Sequence, residues 1–461
     1  MTENTFDIAV IGGGVVGCAT ARRFALAGAH VVLLEKEADI LSGASKGNSA
    51  ILHTGFDAPP DSLELACMKA GYAEYMAIRE ELGLPLLETG ALVVAWSKDE
   101  YDNLAAIMAK AHANGVDDAH IVTADELRHM EPNLAPHAWG AVHVPGEHLI
   151  DPWSAPLAYL KQAVINGAEL YRNCEVRSGH FDGSLWHLET NTLPIKARHV
   201  VNCAGLYGDH VDQALTGEQA FHITPRKGQF IVFDKLAHKM ISRIILPVPS
   251  ERTKGIVVTR TIFGNLLVGP TAEDQQERDR AAVDTATLQQ LRQTALRLIP
   301  ALENIPVVAT YAGLRPATEN KAYRIRYDAE RNLLVAGGIR STGLTAALGI
   351  ARHLFRLYTE SGNTHAAPQP LHACRVPNLA EHQPRDWQKP GYGEIICHCE
   401  LVTLREIEAA LDGDLPAGDI GGLKRRTRAG MGRCQGFYCN ARLAAITRER
   451  LSCPLAVGDL S

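Results

Sequence analysis

Apolar positions organise the chain before any single residue draws attention. FDIAVIG, residues 6–12, is an almost unbroken apolar run that ends on glycine. VVGCATARRFALAG, residues 15–28, has its apolar positions three and four apart, and HVVLLE, residues 30–35, returns to an unbroken run. This predicts a buried strand, a helix and a second buried strand. VVNCAGLYGD, residues 200–209, predicts a strand ending at Ala204 and Gly205. GGIRSTGLTAALGIARHL, residues 337–354, predicts a glycine-rich turn entering a helix near Thr342–Thr345. Mixed strands and helices continue to residue 360, and then the pattern stops. Residues 361–393 carry Pro368, Pro370, Pro377, Pro384 and Pro390 with little periodicity, which predicts an extended linker or an irregular strap packed on the body. From Glu394 onward a compact tail is expected.

Composition narrows the class. The 461 residues are 46% hydrophobic and 21% charged, enough for two to four domains with substantial cores. A net charge of −6 argues against a dedicated nucleic-acid binder. MTENTFDIAVIGGG runs straight into a strand and lacks the basic and apolar segments of a secretory leader. No apolar run reaches the roughly 18 residues of a membrane span. A cytoplasmic chain is therefore expected, and in a reducing compartment its ten cysteines either bind metal or stay as thiols. Cys18, Cys67, Cys174, Cys203, Cys374 and Cys453 are scattered and read as buried or idle thiols.

Gly12, Gly14 and Gly17 form GxGxxG between the first strand and the first helix. Glycine permits the tight turn and the close approach of a pyrophosphate, and the helix N-terminus offers N–H groups and positive dipole. Glu35, 18 residues past Gly17, ends the second strand where an adenosine ribose would donate hydrogen bonds. Small residues recur in LSGASKGNSAILHTGF, residues 41–56, at Ser42, Gly43, Ser45, Gly47 and Ser49. Glycine-rich approaches in four separated places suit an extended FAD better than NAD. The amides at Thr342–Thr345 are placed to face a flavin's pyrimidine edge.

These segments resemble the D-amino-acid-oxidase-like superfamily of FAD-dependent oxidoreductases. The branch indicated holds glycerol-3-phosphate dehydrogenases and oxidases and L-2-hydroxyglutarate dehydrogenases. The resemblance spans about residues 5–360 and is carried by GNSAILHTGFDAPPDSL, PRKGQFIVF, TKGIVVTRTIFGNLLVGPTAED, AGLRPA and GIRSTGLTAALGIA. It implies an α/β fold: a Rossmann-like FAD-binding domain (1–88, 146–218 and 331–360) and an α+β antiparallel-sheet substrate domain (89–145 and 219–330). It implies FAD contacts at Gly12, Gly14, Gly17, Glu35, Lys36, Ser42, Ser45, Asn48, Ser49, Val176, Ala204, Gly205, Gly338, Gly343, Leu344 and Thr345. His53, in ILHTG, is implied as the proton acceptor when a hydride leaves a secondary alcohol for the flavin, a task that suits a neutral imidazole. Arg315, in AGLRPA, is implied as the fork that holds an anionic substrate group, with Lys254 as a second anchor. Arg260 departs from the branch, where proline commonly follows VVT. It either adds a cation to the substrate site or points into solvent.

Cys397 and Cys399, then Cys434 and Cys439, form CxC…CxxxxC. Four thiolates match a [2Fe–2S] cluster and also a structural zinc, and spacing alone leaves both open. CHCE…TRAGMGRCQGFYC resembles the ferredoxin module of bacterioferritin-associated ferredoxin over residues 394–445, a small helical [2Fe–2S] domain here assigned to 394–461. Similar modules end the catalytic subunit of anaerobic glycerol-3-phosphate dehydrogenases. The cluster implies an electron exit and a dehydrogenase. Lys424, Arg425, Arg426 and Arg428 beside it either offset its charge, dock a partner or form a solvated face. The expected substrate is a small anionic alcohol, first sn-glycerol 3-phosphate and second a 2-hydroxy acid such as L-2-hydroxyglutarate. The other readings are a redox sensor without turnover and an amine or amino-acid dehydrogenase subunit. The expected acceptor is a quinone, a membrane-anchoring subunit or a soluble carrier, within a hetero-oligomer that is cytosolic or peripheral at the inner face of a bacterial membrane.

Overall fold

The computed structural model describes residues 5–249 and 255–455. β1 (Thr5–Ile11), α1 (Val15–Leu26) and β2 (Val31–Leu34) form where the apolar pattern places them. β1 pairs in parallel with β2, Ile8 opposite Val31 and Ile11 opposite Leu34. Its other edge pairs in parallel with Ile195–Asn202, which is flanked in parallel by Leu333–Gly337. Parallel strands are covered on both faces, so they read as unbroken apolar runs without alternation. Strands Val176–Phe181 and Trp186–Thr190 extend one end of this sheet, and Glu169–Tyr171 the other. Arg324–Asp328 pairs antiparallel with Leu333–Gly337, so the last segment of the first sheet begins earlier in the chain than residue 331.

α1, α2 (Leu63–Leu82) and the helices Ser154–Ile165 and Gly343–Glu360 enclose the largest core. α2 and helix Gly343–Glu360 touch through glycines. A Cβ at Gly71 would fall 2.0 Å from the Thr345 carbonyl oxygen, and one at Gly349 2.0 Å from that of Cys67. This close crossing fixes the N-terminus of helix Gly343–Glu360, which matters for the site.

A second, nine-stranded sheet draws its strands from residues 91–144 and 223–318. Its longest pairing is Ile223–Phe233 against Val307–Thr318, antiparallel, with Arg226 opposite Arg315. Helix Thr285–Leu298 covers one face, packing Leu291 and Ala295 with Val258 and Val268. On the other face Val257 packs near Ile51, Ala91 and Ile244. Strand alternation puts Arg260 on the Val258 side, away from Ile51 and the segment that leads to His53. There its Nε is buried without a partner, burial pulls its pKa down and Glu131 pulls it back up.

Residues 361–393 lie along the body. Val376 N–H donates to the Leu82 carbonyl at 3.0 Å and Glu381 N–H to that of Ile262 at 3.0 Å. Leu379 and Ala380 pack with Ile262 and Phe263. The tail forms a short antiparallel pair, Ile395–Cys397 with Val402–Thr403, and helices Leu404–Asp412, Ile420–Thr427 and Asn440–Ile446 around their own core. Its basic run is an internal seam. Arg426 grips the fully buried Asp39 carboxylate at 2.6 and 3.1 Å. Arg425 donates to the Ile40 carbonyl at 2.9 Å, and Arg428 is buried against Glu400 at 2.8 Å. Among the described residues no helix is long and apolar enough to cross a membrane.

Gly349→Ala forces helix Gly343–Glu360 off α2. The expected cost is about 1–3 kcal/mol, seen as a lower thermal unfolding midpoint together with weaker FAD retention. An unchanged midpoint contradicts this packing.

Candidate active site and thiol cluster

The GxGxxG loop is tied into the sheet by contacts that admit no side chain. Gly12 has φ +104°, and a Cβ there would sit 2.6 Å from the Cys203 carbonyl oxygen. One at Gly17 would sit 1.9 Å from that of Gly12. Gly12, Gly17, Cys203 and Ala204 therefore meet at one point, beside Gly205, whose φ is +55° and whose Cβ direction is open for 4 Å. Gly14 starts α1 without a side-chain cap, leaving its first amides to a ligand apart from Val15 N–H, which Ser45 Oγ accepts at 3.0 Å.

Glu35 is buried at the end of β2. Its carboxylate accepts from Gly13 N–H at 2.6 Å and Glu37 N–H at 2.8 Å. Burial pushes its pKa above the usual carboxylate range, while these two donors pull it down. Lys36 lies 3.9 Å from the centroid of the Tyr207 ring and near Asp279. Ser42 donates to the Asp39 carbonyl at 2.7 Å, and Leu41 N–H donates to the Gly13 carbonyl at 2.9 Å. Val176 opens an edge strand opposite Thr190.

The segment then crosses to the second sheet. Asn48 Nδ2 donates to the Ser45 carbonyl at 3.2 Å, and Tyr311 O–H donates to the Asn48 carbonyl at 2.9 Å. Gly47 lies against Gly313, a Cβ on Gly47 falling 3.1 Å from the Gly313 Cα. Ser49 is half-buried beside them. Opposite stands the N-terminus of helix Gly343–Glu360, with no side-chain cap at Thr342. Thr342 Oγ1 instead donates to Glu64 at 2.9 Å. Gly343 comes near Val15, at 3.9 Å from a notional Cβ, and Leu344 packs into the main core. Gly338 holds φ +68° in the turn before the helix. Two uncapped helix ends, glycine approaches at the loop and an acidic residue beyond β2 fit an extended dinucleotide that spans both sheets.

His53 sits at this junction. Its backbone N–H donates to Thr345 Oγ1 at 3.0 Å, fixing it to the helix end. Its Nδ1 lies 2.8 Å from Oε2 of Glu147, a residue with no exposed surface. Glu147 Oε1 accepts from Thr54 N–H at 2.6 Å and Thr54 O–H at 2.8 Å. A carboxylate only accepts, so Nδ1 carries the hydrogen, and in the neutral ring that leaves the lone pair on Nε2. Sequence reasoning missed Glu147. It stands 94 residues away in PGEHLIDP, where only an acid beside a turn marks it.

Arg315 projects from the strand Val307–Thr318, two residues past Gly313. Among the described residues no carboxylate pairs with it, and its Nη1 donates to the Thr271 carbonyl at 3.3 Å. A Cβ at Gly228 would fall 2.7 Å from Nη2, so glycine there makes room for the guanidinium. Burial, then Arg226 and Arg340, pulls the Arg315 pKa down to about 10, which leaves it cationic at neutral pH. Arg226 is itself paired with Asp274 at 2.6 Å. Lys254 lies outside the described residues.

The four tail cysteines lie together: Cys399 bonds Cys434 and Cys439 bonds Cys397, while Cys399 also feels Cys397 and Cys439 also feels Cys434. Among the described residues no three His, Cys, Asp or Glu side chains converge as they would on a single ion. Four thiols gathered in this way match the ligand count of a [2Fe–2S] cluster and of a structural zinc alike. The N–H of Tyr438, with those of Gly436 and Phe437, pulls the Cys434 pKa below the usual thiol range. Burial pushes Cys439 up to about 11.

Comparison with known proteins agrees with this geometry. The family described as FAD dependent oxidoreductase matches residues 7–357, and the BFD-like [2Fe-2S] binding domain matches residues 395–449. A glycerol 3-phosphate dehydrogenase of Caloramator mitchellensis is 32% identical over 455 residues, covering 97% of this chain and 94% of its own. One subunit of the anaerobic glycerol-3-phosphate dehydrogenase of Escherichia coli (strain K12) is 25% identical over 490 residues, covering 96% of this chain and 88% of its own. The FAD-bound, dithionite-reduced L-alpha-glycerophosphate oxidase of Mycoplasma pneumoniae superposes with a TM-score of 0.76 at 26% identity, covering 82% of this chain and all of that one.

The match of residues 395–449 to a [2Fe-2S] binding domain predicts two irons and two labile sulfides per chain on metal and sulfide analysis. Cys439→Ser should lose the cluster's visible absorbance while flavin absorbance persists. One zinc per chain in protein reconstituted with both metals would contradict the assignment.

Proposed function

The chain belongs to the FAD dependent oxidoreductase family, and on that premise we propose that it oxidises sn-glycerol 3-phosphate at its secondary hydroxyl and delivers the electrons through a [2Fe–2S] cluster. The observation that carries the substrate reading is Arg315. A half-buried guanidinium without a carboxylate partner among the described residues wants an anion. A phosphate fills that fork with three acceptor oxygens, a hydroxy acid or amino acid with two, and an amine without an acid group does not fill it. The relatives named for glycerol 3-phosphate support the same choice.

When bound, FAD accepts the hydride from the carbinol carbon and the cluster carries electrons away one at a time. The protein's own groups do the rest. Arg315 holds the phosphate in a bidentate fork, with Lys254 as a further anchor. His53 Nε2 takes the hydroxyl proton as the C–H bond breaks. Glu147 accepts from Nδ1–H, which sets the tautomer and stabilises the imidazolium that forms. Thr345 holds the His53 backbone, so ring and helix end move as one unit. The uncapped amides at Gly343–Thr345 supply positive potential where negative charge develops.

Electrons leave for a one-electron acceptor: a quinone, a membrane-anchoring subunit or a soluble carrier. A hetero-oligomer, cytoplasmic or peripheral at the inner face of a bacterial membrane, fits this exit.

Dye-linked turnover of polyol phosphates, 2-hydroxy acids and amines tests the reading. The expected result is the highest kcat/KM for sn-glycerol 3-phosphate; turnover of only a hydroxy acid or an amine would sink it. Arg315→Met should raise KM far more than it lowers kcat. His53→Ala should lower kcat by about 10²–10⁴-fold. Glu147→Ala should lower kcat by about 10²-fold with little change in KM, because the base loses its tautomer and orientation. A Glu147→Ala variant with unchanged kcat and pH profile would remove Glu147 from the site.

A further inference from the structure

The flavin-facing segment and the thiol module are joined by an unbroken line of packed side chains. Trp153 Nε1 donates to the Lys46 carbonyl at 3.3 Å, in the segment that runs past Gly47 and Asn48 along the substrate sheet. The Trp153 and Phe263 rings stack, with centroids 5.6 Å apart and planes 12° from parallel. The Arg428 guanidinium lies 3.9 Å from the Phe263 centroid on that ring's face. Arg428 Nε donates to Glu400 Oε2 at 2.8 Å, and Glu400 is bonded directly to Cys399. Phe263, Arg428 and Glu400 are at most 5% exposed. Behind Arg428, Met431 N–H donates to its carbonyl at 3.0 Å, and a Cβ on Gly432 would fall 2.3 Å from Cys399 Cβ.

We propose that Trp153, Phe263 and Arg428 are the electron bridge between the flavin and the [2Fe–2S] cluster. Electron tunnelling falls steeply with distance and favours packed matter over gaps. Three planar groups in van der Waals register supply a continuous path from one cofactor segment to a cluster ligand. The other seam, Arg425 on Ile40 and Ser42 and Arg426 on Asp39, starts from residues beside the Gly13 carbonyl. That is the phosphate end of the cofactor, and it ends on helix Ile420–Thr427 with no thiol. The two seams thus divide the work: one fixes the module, the other conducts. Phe263 sits at the tip of a hairpin, between strands Val257–Arg260 and Leu266–Gly269, that reaches out of the substrate sheet to close the line.

In each transfer one electron leaves the reduced flavin, its proton passing to solvent, and one ferric ion of the cluster becomes ferrous. A second electron follows after an external one-electron acceptor has emptied the cluster. The bridge rests on the FAD and cluster of the proposed function and not on its substrate.

The test therefore uses no substrate. Holoenzyme is photoreduced at the flavin by a light flash with EDTA as electron donor, and arrival at the cluster is followed by rapid-freeze electron paramagnetic resonance. In Phe263→Leu the flavin should bleach as in wild type, the dithionite-reduced cluster should give the wild-type spectrum, and arrival should slow about tenfold. Phe263→Tyr should restore the wild-type rate. Arrival at the wild-type rate in Phe263→Leu, failure of Tyr to restore it, or no arrival in wild type would each overturn the bridge. If Phe263→Leu loses its cluster, Trp153→Leu is read the same way: slowed arrival supports the bridge and unchanged arrival overturns it. Failure of sn-glycerol 3-phosphate to bleach the flavin would count against the substrate alone.

Discussion

Asp39 carries no exposed surface, and its charge must be met inside the protein. Arg426 meets it with two guanidinium N–H groups, and Gly418 N–H adds a third donor at 3.1 Å. Removing Asp39 leaves the Arg426 guanidinium buried without its charge partner, at a cost of about 3–5 kcal/mol. The pair joins the loop after β2, which carries the dinucleotide contacts, to the module that carries the four thiols. It is the most deeply buried of the contacts that hold the module on the body, beside Arg425 on the Ile40 carbonyl and Arg433 on Asp234. A redox chain whose rate depends on distance needs the module held rigidly.

The same economy governs the active site. One short segment, residues 42–54, passes the α1 N-terminus at Ser45, the substrate sheet at Gly47 and Asn48, and the end of helix Gly343–Glu360 at His53. Each crossing is held by a hydrogen bond to a different element. The proposed base, cofactor cradle and anion-holding strand are therefore positioned by one stretch of chain. The glycine contacts between α2 and helix Gly343–Glu360 keep its last anchor in place.

Motifs with a local cause were legible in the sequence. The GxGxxG loop needs glycine because the Cys203 carbonyl occupies the space of any Cβ, and that need is written in adjacent residues. The two thiol pairs were legible because ligands must be cysteine. Glu147 was not legible, because its partner is 94 residues away and any buried acid beside a turn looks alike. The run Lys424–Arg428 could offset the cluster's charge, dock a partner or form a solvated face. Its guanidinium groups turn inward because Asp39, Glu400 and two backbone carbonyls wait there, which no local pattern announces. Arg260 posed a question of side, and only strand register answered it, by facing it away from the segment that leads to His53. Residues 361–393 lack periodicity because a strap is held by scattered backbone hydrogen bonds and not by an amphipathic face.

On the proposed function, electrons taken from an anionic alcohol near His53 end on the tail cysteines. An anaerobic titration of the full chain with sn-glycerol 3-phosphate, read by flavin absorbance and electron paramagnetic resonance on one sample, tests this directly. Bleaching of the flavin should be accompanied by the signal of a reduced [2Fe–2S] cluster, up to one spin per chain. A flavin that bleaches fully while the intact cluster stays oxidised and remains reducible by dithionite would contradict it.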